Sequence, residues 1–323
     1  MSVRFINPYT LAPLRREPDA FVDDGGNAFP VVNGVPRFCE LQNYSQSFGT
    51  QWNLFAGTQL DRPEHGLRAS ERRFFAETGW APESLEGLDV LEVGSGAGRF
   101  SKVVLERTRA RLWSVDYSTA VEANFANNCA FATDRFQLLQ ASVYELPFPD
   151  DSFDRVFCLG VLQHTPDFEA SVRALISKTK PGGEIAVDFY PIRGWWTKLN
   201  AKYMLRPFSK RIAHDRLMSL IDRNVDWMIA VAQGLNRLRL GVLTRFLPMV
   251  DLRIVPPGLT KAEFREWTVL DTFDMFSPEH DHPQRLRNVA AMFRRHGADV
   301  TFSEFVETGS GAAAVVRAVK RAH

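Results

Sequence analysis

Three glycines stand at alternate positions, Gly94, Gly96 and Gly98, two residues after an acid, Glu92, and just before Arg99-Phe100. Glycines so spaced allow a tight turn and let a ligand lie against backbone where a side chain would block it. Asp116 follows about twenty residues later, at the end of a second apolar stretch, where a carboxylate can accept two hydrogen bonds from a ribose cis-diol. A second group of reactive side chains comes further on. His164 closes an apolar run, and Trp267, Asp271, Asp274, His280 and His282 crowd into residues 261–283, a segment that reads as loop-like. The first set suits a nucleoside ligand, and the second offers acids and bases that could take a proton. A pyrophosphate-binding dinucleotide turn wants G-x-G-x-x-G. Counting from Gly94 and Gly96, Arg99 stands where that pattern needs glycine or alanine, which argues against a nicotinamide-dependent oxidoreductase.

Placing these residues requires an alternation of strands and helices. Leu88–Val93 reads as a short buried strand, apolar and β-branched, and Arg99 opens a helix. Arg111–Asp116 is a second strand, Ala120–Ala130 a helix, and Phe136–Val143 a third strand and its turn. Val156–Leu159 is a buried strand with Gly160–His164 at its C-terminal edge, where open parallel sheets place ligands. Pro181–Tyr190 is a turn and a fifth strand. Gln284–His296 has the period of an amphipathic helix, and Asp299–Val306 and Ala312–Lys320 are strands joined by Thr308-Gly-Ser-Gly311. Near the N-terminus, Ala28–Phe38 reads as a β-hairpin with Asn33-Gly34 at its tip. The expected fold is α/β and doubly wound.

The run Glu92-Val-Gly-Ser-Gly-Ala-Gly98 (E-x-G-x-G-x-G) resembles motif I of the class I S-adenosylmethionine-dependent methyltransferases. The run Leu146–Val156 (LPFxxxSFDxV) and the run Val161-Leu-Gln-His164 (VLxH) resemble later motifs of the same family. The resemblance implies a seven-stranded Rossmann-like sheet with an antiparallel end, S-adenosyl-L-methionine as cofactor, and methyl transfer as the activity. It implies cofactor contacts from Glu92, Gly94, Ser95, Gly96, Gly98 and Arg99 at the first turn. Asp116, Tyr117 and Ser118 would follow at the second, with Ser142, Val143, Leu159, Gly160 and His164 beyond. Ser142 stands where the family usually has an acid or amide on the adenine amino group. A segment ahead of the first strand often folds over the cofactor in this family, which makes Phe48, Gln51 and Trp52 candidates; Phe48, Trp52 and Phe55 fit the core face of a helix equally well. The N-terminal run FPVVNGVPRF resembles a zinc-ribbon-like segment that precedes such domains. The ribbon's usual cysteine pairs are absent, so no metal is expected there.

The implied organisation is a small β unit at 1–43, a first part of the core at 44–190, a helical acceptor-binding cap at 191–283 and the rest of the core at 284–323. Between Tyr190 and Val250 eleven Lys or Arg face three Asp, although the whole chain carries a net charge of only +1. That basic balance suits an anionic, phosphorylated or lipid-linked acceptor, or weak contact with a membrane surface. It fits a solvated helix face or a homodimer contact as well. Without an RNA-binding signature, nucleic acid is not an expected partner. Tyr190, Trp267, Asp271 and His282 are the expected acceptor contacts, and His164, Asp274 or His280 the expected base. Three scattered cysteines, Cys39, Cys129 and Cys158, point to a reducing compartment. With no signal peptide and no membrane-spanning run, a cytoplasmic protein is expected. The departure at Ser142 leaves open a non-catalytic scaffold that keeps the cofactor fold.

Overall fold

The computed structural model describes residues 3–40, 43–63, 66–131, 135–308 and 311–322. Four short antiparallel strands come first: β1 (Arg15–Arg16), β2 (Ala20–Val22), β3 (Ala28–Val32) and β4 (Val35–Pro36). Asn33 and Gly34 both take positive φ, 52° and 81°, as the tight turn of a two-residue hairpin requires. Asp23 ties the preceding loops together, accepting from Asn7 Nδ2 at 2.7 Å and Asn27 Nδ2 at 2.8 Å. Helices α1 (Gln46–Leu54) and α2 (Ala69–Thr78) follow.

The main sheet then begins. Its parallel strands are β5 (Asp89–Val93), β6 (Arg111–Asp116), β7 (Phe136–Gln140), β8 (Phe153–Cys158) and β9 (Thr179–Phe189). Helices α3 (Arg99–Arg107), α4 (Val121–Asn128) and α5 (Phe168–Lys178) lie between them. After the cap come α9 (Leu286–Arg295), β10 (Ala298–Glu307) and β11 (Ala312–Lys320), with β11 antiparallel to both β10 and β9. The seven strands order as β10-β11-β9-β8-β5-β6-β7, the expected doubly wound sheet with its antiparallel end. Part of the expected turn before β11, Gly309-Ser310, lies outside the described residues.

Both faces of the sheet are covered, so its strands carry buried apolar residues on successive positions. Leu91, Val93, Val115 and Val156 point into one core, and Val90, Leu112 and Phe157 into the other. The N-terminal sheet shares the first of these. Phe5 packs on Phe21 and Phe148, and Phe148 on Phe153. Phe38 N–H donates to the Gln140 carbonyl at 2.8 Å, while Arg37 bonds the Gln140 side chain and pairs with Glu122. The small unit therefore covers the edge strand β7, which would otherwise present open backbone groups.

Residues 191–283 form α6 (Ala201–Ser209), α7 (His214–Arg237) and α8 (Lys261–Phe276), with one short 3-10 turn ahead of α6 and two between α7 and α8. Residues 261–283 read as a loop in the sequence; most of them are helix α8. A capping box opens it, with Glu263 N–H donating to Thr260 Oγ1 and Thr260 N–H to Glu263. Its buried residues (Trp267, Thr268, Val269, Leu270, Thr272, Phe273 and Phe276) spread around the helix because it packs against α1, α6 and α7 at once. That erased the one-sided period by which a helix is recognised.

Replacing Phe38 by Ala removes a fully buried ring from the seam between the small sheet and the main core. It should cost about 3–5 kcal/mol of stability. Because the core is shared, chemical denaturation should still show a single transition; two transitions would mean that the N-terminal sheet unfolds by itself.

Candidate active site

The C-terminal ends of β5, β6, β8 and β9 face the cap across a cavity of about 850 Å³. At its floor the chain turns from β5 into α3. Gly94 and Gly98 each take φ +82°, a left-handed conformation that side chains disfavour. A Cβ on Gly94 would stand 2.3 Å from Val161 Cγ2, and one on Gly98 would stand 2.2 Å from Asn124 Oδ1. Gly94, Ser95, Gly96 and Arg99 line the cavity, but Gly98 does not; it brings α3 against α4.

Asp116 also lines the cavity. Its Oδ2 accepts Gly96 N–H at 2.7 Å, and its Oδ1 accepts Ser118 N–H at 2.8 Å and Ser118 Oγ–H at 2.6 Å. These bonds fix the carboxylate beside the glycine turn, while burial raises its pKa. Ser118 itself holds Asp116 from outside the cavity wall, and Tyr117 is part of the wall.

Glu92 is not in the wall either. It lies beneath the turn, where Ser101 Oγ and Ser114 Oγ donate to its Oε2 at 2.5 and 2.7 Å. Its Oε1 is buried with no partner, and burial pushes its pKa up to about 7. Ser142 is buried outside the wall as well, and its hydroxyl accepts Tyr144 N–H. Val143, Leu159 and Gly160 do line the cavity.

Helix α1 covers the turn. Phe48, Gln51 and Trp52 all line the cavity. The Trp52 indole lies so close to Gly96 that a Cβ there would meet its Nε1 at 3.1 Å. Gln51 is fully buried, and neither its Oε1 nor its Nε2 has a protein partner.

The opposite wall brings together His164, Tyr190, Trp267, Asp271 and Asp274. His164 Nδ1 lies 3.1 Å from the His280 carbonyl oxygen. A carbonyl only accepts, so Nδ1 carries the proton and Nε2 keeps a lone pair. Nε2 is buried without a protein partner, and burial lowers the ring's pKa, which favours the neutral form. Tyr190 Oη–H donates to Asp274 Oδ2 at 2.8 Å. Trp267 Nε1–H donates to Asp271 at 2.9 Å, and burial, then the charge of Asp274, raises Asp271 to about 7.

Two residues expected on the acceptor side lie elsewhere. The rings of His280 and His282 are outside the cavity wall and stack on each other at 5.8 Å. What reaches the site from this pair is backbone: the His280 carbonyl orients His164, and His282 N–H donates to the Gln163 carbonyl. From the two histidines of the run Ser277–Pro283 it is main-chain groups that reach the site, so the histidine side chains misled.

The sequence reading missed a buried polar layer. Arg73 pairs with Glu77 at 2.8 Å and Asp188 at 2.6 Å, and Asp188 accepts Gly160 N–H. Arg99 Nη1 donates to Gln59 Oε1 at 2.5 Å, and Gln59 Nε2 donates to Asp271 at 3.2 Å, so one amide links the glycine turn to the cap. Lys202 pairs with Asp281 at 2.9 Å and lies 4.1 Å above the Tyr190 ring. An acid inside the apolar run Ile185–Phe189 was the available signal for Asp188. Among the described residues, no group of three His, Cys, Asp or Glu could hold a metal ion.

A seven-stranded sheet with this order and a glycine turn after β5 define the class I S-adenosylmethionine-dependent methyltransferase fold. The family described as "Methyltransferase domain" matches residues 91–187, so the chain carries such a domain, whose cofactor is S-adenosylmethionine. The site fits that cofactor: Cβ-free backbone at Gly94 and Gly96, the Asp116 carboxylate and the orphaned Gln51 amide all meet one cavity. The chain is 35% identical over 113 residues to a tRNA U34 carboxymethyltransferase of Nautilia profundicola, covering 34% of this chain and 37% of that protein. It is 27% identical over 154 residues to the sterol 24-C-methyltransferase erg6 of Aspergillus fumigatus, covering 47% and 38%. The chain thus spans about a third of the length of the curated relatives it matches. A chain in the complex of the Haloferax volcanii Trm112 methyltransferase activator with a methyltransferase superposes with a TM-score of 0.50. The identity is 14%, over 85% of this chain and 98% of that one, a likeness of fold.

Glu92 offers a test of the buried layer. Its folded pKa is raised, so the stability it contributes is fully present below about pH 4.5 and is lost as pH rises through about 7. Glu92→Gln should therefore narrow the fall in melting temperature between pH 5 and pH 8. The difference should correspond to roughly 2–3 kcal/mol. Parallel melting curves for the two proteins would show that Glu92 is already ionised at pH 5.

Proposed function

We propose that the protein transfers a methyl group from S-adenosylmethionine to an oxygen or nitrogen of a small or lipid-linked acceptor held beneath the cap. One observation carries this reading: a single cavity joins the glycine turn and Asp116 to Tyr190, Asp271, Asp274 and the lone pair of His164. At about 850 Å³ it falls in the size range of small-molecule and cofactor sites. The relative named for tRNA aligns over only a third of this chain, and that alignment does not decide the acceptor.

The cofactor supplies an electrophilic methyl on a sulfonium that is a good leaving group. The chain's residues then have three tasks. Asp116, Gly94 and Gly96 hold the nucleoside, and Gln51, Phe48 and Trp52 close over it from α1. The cap walls position the acceptor and exclude water, which lowers the entropic part of the barrier and strengthens local electrostatics. His164 takes the acceptor's proton on Nε2, with Nδ1–H anchored on the His280 carbonyl so that the tautomer is fixed. Asp274 is committed to the Tyr190 hydroxyl and orients that ring beside His164, whose centroid lies 5.4 Å away.

The cofactor assignment is tested by calorimetric titration with S-adenosylhomocysteine and, separately, NADH. Asp116→Ala should weaken S-adenosylhomocysteine binding by about 10-fold or more, since it loses hydrogen bonds to a charged group. Binding of NADH instead would overturn the assignment.

His164→Ala should lower kcat by about 100-fold or more while S-adenosylhomocysteine affinity changes little. Because a neutral imidazole is the active form, wild-type kcat should be flat near pH 7. It should fall only as pH drops below the ordinary histidine value of about 6.5. Unchanged kcat in the variant would remove His164 from the chemistry.

A further inference from the structure

The outer surface of the cap is unlike the rest of the molecule. Fifteen of the twenty exposed large apolar side chains among the described residues lie between Trp195 and Ile254. Soluble surfaces rarely concentrate apolar groups in this way without a partner. Helix α7 shows the pattern most plainly, because it carries two apolar stripes. Leu217, Ile221, Val225, Met228 and Ala232 are buried, facing α8. Leu220, Trp227, Val231 and Leu238 recur at 7-, 4- and 7-residue intervals, which aligns them on a second face, and all four are exposed. Trp227 Nε1–H is satisfied by Asn224, so its ring is free to bury.

This second stripe runs at Leu238 into the turn Gly241–Phe246, where Val242 is 68% exposed. Arg245 donates to the Trp196 carbonyl at 2.6 Å and so joins that turn to Trp195-Trp196, the first of which is 77% exposed. The described cavity-lining residues that are themselves exposed are Arg193, Trp196, Val242, Arg253, Ile254 and Gly311. The cavity mouth therefore opens within the apolar patch.

Charge decides what covers it. Lys198, Arg216, Arg223, Arg237 and Arg239 are exposed on the same segment and have no carboxylate partner among the described residues. Arg253 at the mouth is paired with Asp251, and Arg193 lies over Phe305. Exposed tryptophans and aliphatics on a segment that also carries unpaired cations match the interface of an anionic bilayer, with rings at headgroup depth and basic groups on the phosphates. A second copy would bring like charges together. A nucleic-acid surface would be more polar than this one. No helix among the described residues is long and apolar enough to cross a membrane.

We propose that the cap docks on the surface of an anionic lipid bilayer through Trp195, Trp196, Val242, Phe246 and the outer stripe of α7, with the cavity mouth against the lipid. An acceptor bearing a lipid chain would then enter directly from the bilayer. That last step rests on the proposed reaction; the docking does not.

The test is flotation of the full chain with vesicles of phosphatidylglycerol and phosphatidylcholine in equal parts, against vesicles of phosphatidylcholine alone. The protein should float with the first, and the bound fraction should fall as salt is raised. The combined variant Trp195→Glu, Val242→Glu and Phe246→Glu should reduce binding by about tenfold or more, with an unchanged circular dichroism melt. Leu11→Glu, an exposed apolar site in the loop ahead of β1, should float like wild type. Absence of flotation, equal flotation of the combined variant, or a dimer that this variant dissociates would overturn the proposal. So would RNA binding that the combined variant loses without any flotation. None of these readouts depends on methyl transfer, so loss of docking and loss of the proposed reaction are separable.

Discussion

The close approach of backbone between β5 and α3 governs the site. At Gly94 and Gly98 no side chain fits, since Val161 on one side and Asn124 on the other already occupy the space. That contact sets α3 against α4 and brings the turn under the end of β8. It also leaves Gly96 N–H aimed at the Asp116 carboxylate, while Gly94 N–H and Ser95 N–H donate to the Val115 carbonyl, so the glycine turn is tied to the end of β6. The order of the sheet follows the same logic. β5 lies between β6 and β8, and the ends of all three strands meet at the cavity floor.

Around that floor the structure buries more charge than a packed core tolerates without compensation. Arg73 is held between Glu77 and Asp188, and Asp188 also receives the Gly160 amide. Burial, with Arg73 nearby, draws Arg99 down to about 10, still leaving it a cation, and its hydrogen-bond partners are the neutral Gln59 and Ser70. Gln59 passes the link on to Asp271 in α8. Nearby, Arg62 pairs with Glu263 and Thr58 bonds Glu266, so the segment between α1 and α2 is stitched to the cap. The cap is thus coupled electrostatically to the glycine turn, the arrangement expected if cofactor and acceptor sites form together.

The parallel core was legible because its strands are apolar runs ending in diagnostic residues: Val93 before the glycines, Asp116 after Val115, His164 after Leu162. The hairpin at Asn33-Gly34 was equally plain, since that pair fixes the turn. Less legible were elements whose environment is uneven. Helix α8 buries residues all round and so has no single apolar face. Glu92, Gly98, Ser118 and Ser142 carry the right residue types yet act beneath or beside the turn; spacing alone cannot distinguish wall from foundation. His280 and His282 illustrate the reverse error, because their contribution is backbone and no side-chain pattern encodes it. Arg73, Gln59 and Lys202 act through contacts across 40 to more than 100 residues, a separation that a single sequence does not reveal.

The cap resolves a tension between its two faces. Helix α7 needs one apolar stripe to pack on α8, and a globular insertion would leave the rest of its surface polar. The second stripe instead continues into the turn at Gly241–Phe246 and the tryptophans at 195–196, and these border the only part of the described cavity wall that is exposed. An apolar rim at a cavity mouth costs solubility unless something covers it, and the unpaired cations beside it fix the sign of the cover. On the proposed docking, the same segment that closes the site on one side forms, on the other, the surface from which the site would be reached.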